Sequence, residues 1–108
     1  MTDQENPIHA QIRAQIASNP ILLYMKGSPF FPQCGFSARA IKALEECGAQ
    51  YVTVDILANP DIRRELPQIS QWPTFPQLFI GGELIGGSDI MMELLASGEL
   101  ASLVKDKA

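Results

Sequence analysis

The stretch PQLFIGGELIGG, residues 76–87, sets two short apolar runs on either side of a Gly-Gly pair. A two-residue Gly81-Gly82 connection reads as a hairpin turn. Turns with both central residues at positive φ match the twist of the strands they join, and glycine reaches that region at no steric cost. Upstream, ILLYMK follows the Asn19-Pro20 break as a short, bounded apolar run, and YVTVDI alternates β-branched residues; both read as strands. Between them Phe36, Ala40, Ile41, Leu44 and Cys47 trace one helical face that stops at Gly48. Strand, helix and strand form a βαβ unit, whose two strands run parallel with a right-handed crossover. A chain holding both a parallel pair and a hairpin folds around a mixed sheet.

The remaining segments supply helices. Ile8, Ile12 and Ile16 form one stripe of a first helix that Asn19-Pro20 ends. NPDIRREL starts with Asn59 as cap and Pro60 at the first helical position, and is expected to break at Pro67. SDIMMELLASG is a helix capped by Ser88 or Asp89 and ended by Gly98, and Leu100, Leu103 and Val104 mark a short final helix. The order α-βαβ-α-ββ-α-α predicts an α/β fold of the thioredoxin type, a four-stranded mixed sheet flanked by helices.

At 108 residues the chain is expected to be one domain, residues 1–108, long enough to bury a core. A net charge of −4 argues against a general nucleic-acid binder, which carries a basic face. No apolar run approaches membrane-spanning length. The N-terminus has neither an apolar signal core nor an Arg/Ser-rich transit pattern. If one helix runs from Cys34 through Cys47, its rise sets the two thiols roughly 20 Å apart. A disulfide needs Cα atoms within about 7 Å. Two reduced thiols and no presequence lead to an expected cytoplasmic location.

The chemistry concentrates in MKGSPFFPQCGFS, Met25 to Ser37. Cys34 stands where a loop enters a helix, where unpaired N–H groups and the helix dipole stabilise a thiolate. Lys26, ending the preceding strand, adds positive charge, and both effects lower a thiol's pKa. A Cys-x-x-Cys redox pair would place a second sulfur at Ser37, so this site has one thiol where two are usual.

KGSPFFPQCGFS closely resembles the active-site segment of the monothiol glutaredoxins, the Cys-Gly-Phe-Ser class, and WPTFPQLFIGGELIGGSDI resembles their second motif. The two lie in order at the family's spacing, the likeness runs from about Ile8 to the last helix, and it is nearest to the short single-domain bacterial members. The resemblance implies the glutaredoxin variant of the thioredoxin fold, with Pro76 as the family's cis proline. It implies a groove for glutathione, whose backbone would pair with that of Phe75 as a peptide adds to a strand edge. Lys26 and Arg63 match the cations that meet the glycine carboxylate, with Arg64 an alternative beside Arg63. Ser88 and Asp89 match the pair at the γ-glutamyl end, where helix N–H groups hold a carboxylate. Many members carry Cys at the position of Ser88, so thiol chemistry from that position does not carry over.

Three functions are open on this reading. Cys34, its symmetry mate and two glutathione thiols would supply the four thiolates of a labile 2Fe–2S cluster bridging a homodimer. The resemblance then implies cluster assembly and transfer, with BolA-family proteins and apo iron–sulfur proteins as possible partners. The alternative is glutathione-dependent thiol–disulfide exchange on glutathionylated proteins through Cys34, an activity the family performs weakly. The third is an adaptor docking partners through Phe30 and Phe31, an aromatic pair in a surface-type loop. Against these, Cys47 reads as a small buried hydrophobe, Met91 and Met92 as helix filling, Trp72 and Thr74 as shaping the proline loop, and His9 as having no part in the site.

Overall fold

The computed structural model describes residues 6–107. Its elements are α1 (Pro7–Ser18), β1 (Ile21–Met25), α2 (Gly35–Glu46), β2 (Val52–Asp55), α3 (Pro60–Ser70), β3 (Gln77–Ile80), β4 (Glu83–Gly86), α4 (Ser88–Ser97) and α5 (Glu99–Lys107). The sheet order is β2-β1-β3-β4. β1 pairs parallel with β2 and antiparallel with β3, and β3 pairs antiparallel with β4. This is the mixed sheet that the hairpin and the βαβ unit require. Gly81 and Gly82 take φ of 60° and 85°, the doubly positive turn that two-residue hairpins favour.

Every residue of β1 is buried, and their alternation divides the core in two. Ile21, Leu23 and Met25 face Ala40, Ala43 and Leu44 of α2, Met91 of α4, and Leu100 and Val104 of α5. Leu22 and Tyr24 face Ile12 of α1, Ile62 and Leu66 of α3, and Phe79 of β3. The Tyr24 and Phe79 rings meet edge to face with centroids 5.8 Å apart. The Tyr24 hydroxyl donates to Gln15 Oε1 at 2.8 Å, so the one polar atom of that buried side chain is satisfied.

Local chemistry accounts for most helix ends. The Asn6 side chain accepts from the Ile8 N–H at 2.8 Å with Pro7 at the first helical position, and Asn19 ends α1 in extended backbone before Pro20. Gly98 closes α4 in the left-handed region. Two ends differ from the sequence reading. α3 does not break at Pro67 but continues to Ser70. Proline's fixed φ is itself helical and forfeits only one hydrogen bond late in the helix. The apolar face of Ile62, Leu66 and Ile69 stays on the core, and the left-handed Gln71 donates its N–H to the Pro67 carbonyl at 2.9 Å. At α4 the cap is Gly87 rather than Ser88 or Asp89, with no side-chain hydrogen bond to the helix start.

α1 and α3 are tied by a charged cluster. His9 Nε2 lies 2.8 Å from Glu65 Oε1, while Arg64 donates to Glu65 Oε2 at 2.9 Å and to Asp61 at 3.1 Å. Hydrogen bonds from Arg64 and then from His9 hold the Glu65 carboxyl below its ordinary value, against the effect of its burial. A carboxylate whose folded pKa is depressed stabilises the fold above its unfolded pKa, and that contribution disappears as pH falls through the folded value. Glu65→Gln should therefore melt below the parent protein at neutral pH. The gap should close as the pH drops below the carboxylate range, as followed by thermal circular dichroism.

Candidate functional site

The C-terminal end of β1 delivers the chain into the thiol loop. Gly27 sits at φ +92°, and a Cβ there would come within 2.4 Å of the Phe31 carbonyl, so only glycine permits this turn. The loop closes on itself through Gln33 N–H to Lys26 O at 2.8 Å and through paired backbone bonds between Ser28 and Phe31. Asp55, at the end of β2, accepts from the Gly27 N–H at 3.0 Å and the Leu57 N–H at 2.8 Å. Its own carbonyl accepts from the Asn59 side chain, and the Asn59 carbonyl accepts from the N–H groups of Ile62 and Arg63. Asp55 thus fastens the thiol loop to the start of α3.

Cys34 is the N-cap of α2. Its sulfur accepts from the Ser37 N–H at 3.3 Å and lies 3.4 Å from the Ser37 hydroxyl. Ser37 is fully buried, and its oxygen accepts from the Lys26 N–H at 3.0 Å. With that lone pair engaged, the hydroxyl proton is free to point at the sulfur, which makes Ser37 a donor to a thiolate. Burial pushes the Cys34 thiol up. The Ser37 hydroxyl, the Ser37 and Phe36 N–H groups and the Lys26 charge together pull it further down, and the net pKa lies below the ordinary thiol value. Cys47, the C-cap of the same helix, shows the opposite. Half-buried against the core, it is raised by burial and then by Glu46. Both cysteines are free, and they stand at the two ends of α2.

Beside the thiol runs a groove in two connected parts. One hollow of about 370 Å³ is lined by Lys26, Phe36, Arg63, Pro67, Pro73, Thr74 and Phe75. The other, about 360 Å³, shares Phe36, Thr74 and Phe75 and continues past Trp72 and Pro76 to Gly87, Ser88, Asp89 and Ile90. Between them the Phe75–Pro76 peptide is cis. The Phe75 N–H and carbonyl make no backbone hydrogen bond among the described residues, leaving an open strand-like edge. Gln77, fully buried on β3, supports that edge by donating to the carbonyls of Trp72 (2.8 Å) and Thr74 (3.1 Å). A Cβ on Gly87 would stand 3.3 Å from the Pro76 carbonyl, so glycine there allows the start of α4 to close on the proline loop.

Of the residues singled out from the sequence, Lys26 and Arg63 form one end, Phe75 and Pro76 the middle, and Ser88 and Asp89 the far end. Cys34 lines neither hollow but caps α2 two residues before Phe36, which lines both. Arg64, the alternative to Arg63, is committed to Asp61 and Glu65 and lines neither hollow. Phe36 is a correction. Helical spacing assigned it to the buried face, but it is 52% exposed, with Arg39 above its ring at 5.4 Å. Phe36 lines both hollows of the groove instead, and periodicity carries no information on where the core ends. Ser37, Asp55 and Gln77 were not read as site residues. Only Ser37 left a local trace, as a polar side chain three places after an N-cap.

A mixed four-stranded sheet with a cis proline just before β3 and a cysteine capping the helix that follows β1 defines a thioredoxin-like thiol protein. Residues 21–85 match the glutaredoxin family. The chain is 60% identical over 98 residues to glutaredoxin 4 of Escherichia coli strain K12, covering 91% of this chain and 85% of that one. It is 62% identical over 85 residues to a probable monothiol glutaredoxin, GrlA, of Legionella pneumophila, covering 79% and 96%. The buckwheat glutaredoxin–glutathione complex superposes with a TM-score of 0.80 at 27% identity, covering 96% of each chain. The chain belongs to the glutaredoxin family, in its monothiol Cys-Gly-Phe-Ser class.

Ser37→Ala removes a hydrogen bond to a charged acceptor, an interaction of about 1.5–3 kcal/mol. The Cys34 titration should move to higher pH, by about one pH unit or more. Ultraviolet thiolate absorbance against pH measures it, with Cys34→Ser as the blank. A titration matching the parent protein would remove Ser37 from the site.

Proposed function

We propose that residues 1–108, as a single domain, bind glutathione in this groove and use it to hold a labile 2Fe–2S cluster, as cargo, between two copies of the chain. The observation that carries this reading is one low-pKa thiol beside a groove whose ends carry complementary charge. Glutathione has two carboxylates and one ammonium group. Lys26 and Arg63 suit the glycine carboxylate. The uncapped N–H groups at Ser88 and Asp89 suit the γ-glutamyl carboxylate, and the Asp89 carboxylate suits the amine. The open edge of Phe75 suits the tripeptide backbone. The buckwheat complex, a relative solved with glutathione, supports the same ligand.

The donor set speaks for a shared cluster. Among the described residues no three His, Cys, Asp or Glu side chains gather to hold a metal ion. Such clusters take four thiolates, and one chain offers a single suitable one. Two Cys34 thiolates and two glutathione thiolates complete the set in a two-fold homodimer. Half of those ligands exchange with solution, which suits assembly and transfer rather than permanent electron transfer. Apo iron–sulfur proteins are the recipients on this reading, with BolA-family proteins as partners, in the cytoplasm, where both free thiols stay reduced.

A second reading draws on the same thiolate. Cys34 attacks the glutathionyl sulfur of a protein mixed disulfide and the protein thiolate leaves. A second glutathione thiolate then attacks that same glutathionyl sulfur, forming glutathione disulfide and freeing the Cys34 thiolate. Ser37 cannot resolve a mixed disulfide, so this activity is confined to glutathione exchange and is weak.

Protein reconstituted without oxygen with iron, sulfide and glutathione should show visible charge-transfer absorption at one cluster per two chains. Colourless parent protein, or colour surviving in Cys34→Ser, would reject the cluster. For the groove, Arg63→Ala should weaken glutathione binding about tenfold, the order of one charge-assisted contact, while Arg64→Ala leaves it unchanged. Calorimetric titration distinguishes the two.

A further inference from the structure

The loop that leads into Cys34 ends in an aromatic pair with nothing packed over it. Phe30 is 89% exposed and Phe31 73% exposed, an unusual placement for two adjacent phenylalanines. They are not on a loose segment. Ser28 and Phe31 exchange backbone hydrogen bonds at 3.3 and 3.1 Å, the Gln33 side chain donates to the Phe31 carbonyl, and Gly27 and Pro32 bridge the loop's base. A loop backbone held this way loses little freedom when its rings are covered, which favours binding.

The exposed side of α2 adds positive charge that no described carboxylate neutralises. Beyond the loop, Arg39 and Lys42 lie on the exposed face of α2, one helical turn apart, and Lys26 and Arg63 lie at the near end of the groove. None of these four cations is in an ion pair with a described residue, whereas Arg64 has two carboxylates. This holds in a chain of net charge −4. The two rings precede Cys34 by four and three residues, and Arg39 and Lys42 follow it by five and eight, so rings and cations flank the thiol along the chain.

We infer that the Phe30–Phe31 loop with Arg39 and Lys42 is a docking surface for protein partners that present an acidic segment with an apolar residue beside their reacting cysteine. The complementary charge brings the partner in, and the aromatic pair, desolvated on contact, orients the incoming sulfur toward Cys34. A protein fits better than an anionic lipid surface, because the thiol between this loop and α2 needs a partner sulfur and lipid supplies none. This deepens the reading of Cys34 as the reactive thiol and rests on it.

The test uses three donors of one glutathionyl group to Cys34, followed in a single turnover by mass spectrometry: free glutathione disulfide and two synthetic peptides. Each peptide bears a glutathionylated cysteine next to leucine, one flanked by aspartates and the other by lysines. In each case the Cys34 thiolate forms the new sulfur–sulfur bond and the donor's other thiolate leaves. The aspartate peptide should react about tenfold faster than the lysine peptide, with the advantage shrinking as salt rises. Phe30→Ser/Phe31→Ser should slow the aspartate peptide about tenfold and leave glutathione disulfide unchanged. Arg39→Glu/Lys42→Glu should invert the preference between the peptides. Equal rates for the two peptides, or a double-serine variant equally slow with glutathione disulfide, would overturn the docking surface. So would retention of the parent protein on phosphatidylserine vesicles with no peptide preference, which reassigns the face to a membrane. If Cys34 fails to react even with glutathione disulfide, the thiol reading itself falls, and this inference with it.

Discussion

β1 is buried on both of its faces, and everything else is arranged around that constraint. A strand with no solvated face must be covered twice, so α2, α4 and α5 pack on one side and α1 and α3 on the other. It must also be paired along both edges, and β2 and β3 do so in opposite senses. The chain leaving its C-terminal end therefore emerges between β2 and β3, at the rim of the sheet. That is where Lys26, Gly27 and the thiol loop stand. The reactive cysteine owes its place to the hydrophobic effect acting on five residues upstream of it.

From that position the thiol is tuned by very local means. Lys26 N–H donates to Ser37, which leaves the Ser37 proton for Cys34, and the Ser37 N–H donates to the same sulfur. The residue that replaces a resolving sulfur thus becomes a support for the remaining one. A second cysteine would offer a nucleophile that competes for any mixed disulfide, whereas a serine hydroxyl stabilises the thiolate. A groove with cations at one end and an uncapped helix at the other suits a ligand charged at both ends. Gly87 contributes by what it lacks, since a Cβ there would crowd the Pro76 carbonyl at 3.3 Å.

Much of the fold was legible because its signals are short-range. Gly81-Gly82 between apolar runs, Asn19-Pro20 after a helical stripe and Gly98 after another each act within a few residues, and each feature is present in the structure. Pro67 was misread for a related reason. Its local preference against helix is real, but burial of Ile62, Leu66 and Ile69 outweighs one missing hydrogen bond. Phe36 was misread because periodicity gives the direction of a side chain and not whether anything lies in that direction.

Sequence alone determined the element order, the parallel sense of the β1–β2 pair and the antiparallel sense of the β3–β4 hairpin, the family, and the presence of one activated cysteine at a helix start. All of these are consequences of chain-local chemistry. Only the tertiary structure decided that Arg63 faces the groove while Arg64 turns to Asp61 and Glu65, and that Asp55 fastens the thiol loop to α3. It likewise decided that Gln77 supports the open edge of Phe75 from below. Those choices are made by atoms distant in the chain competing for the same hydrogen bonds and the same space, a competition that exists only once the layers have packed.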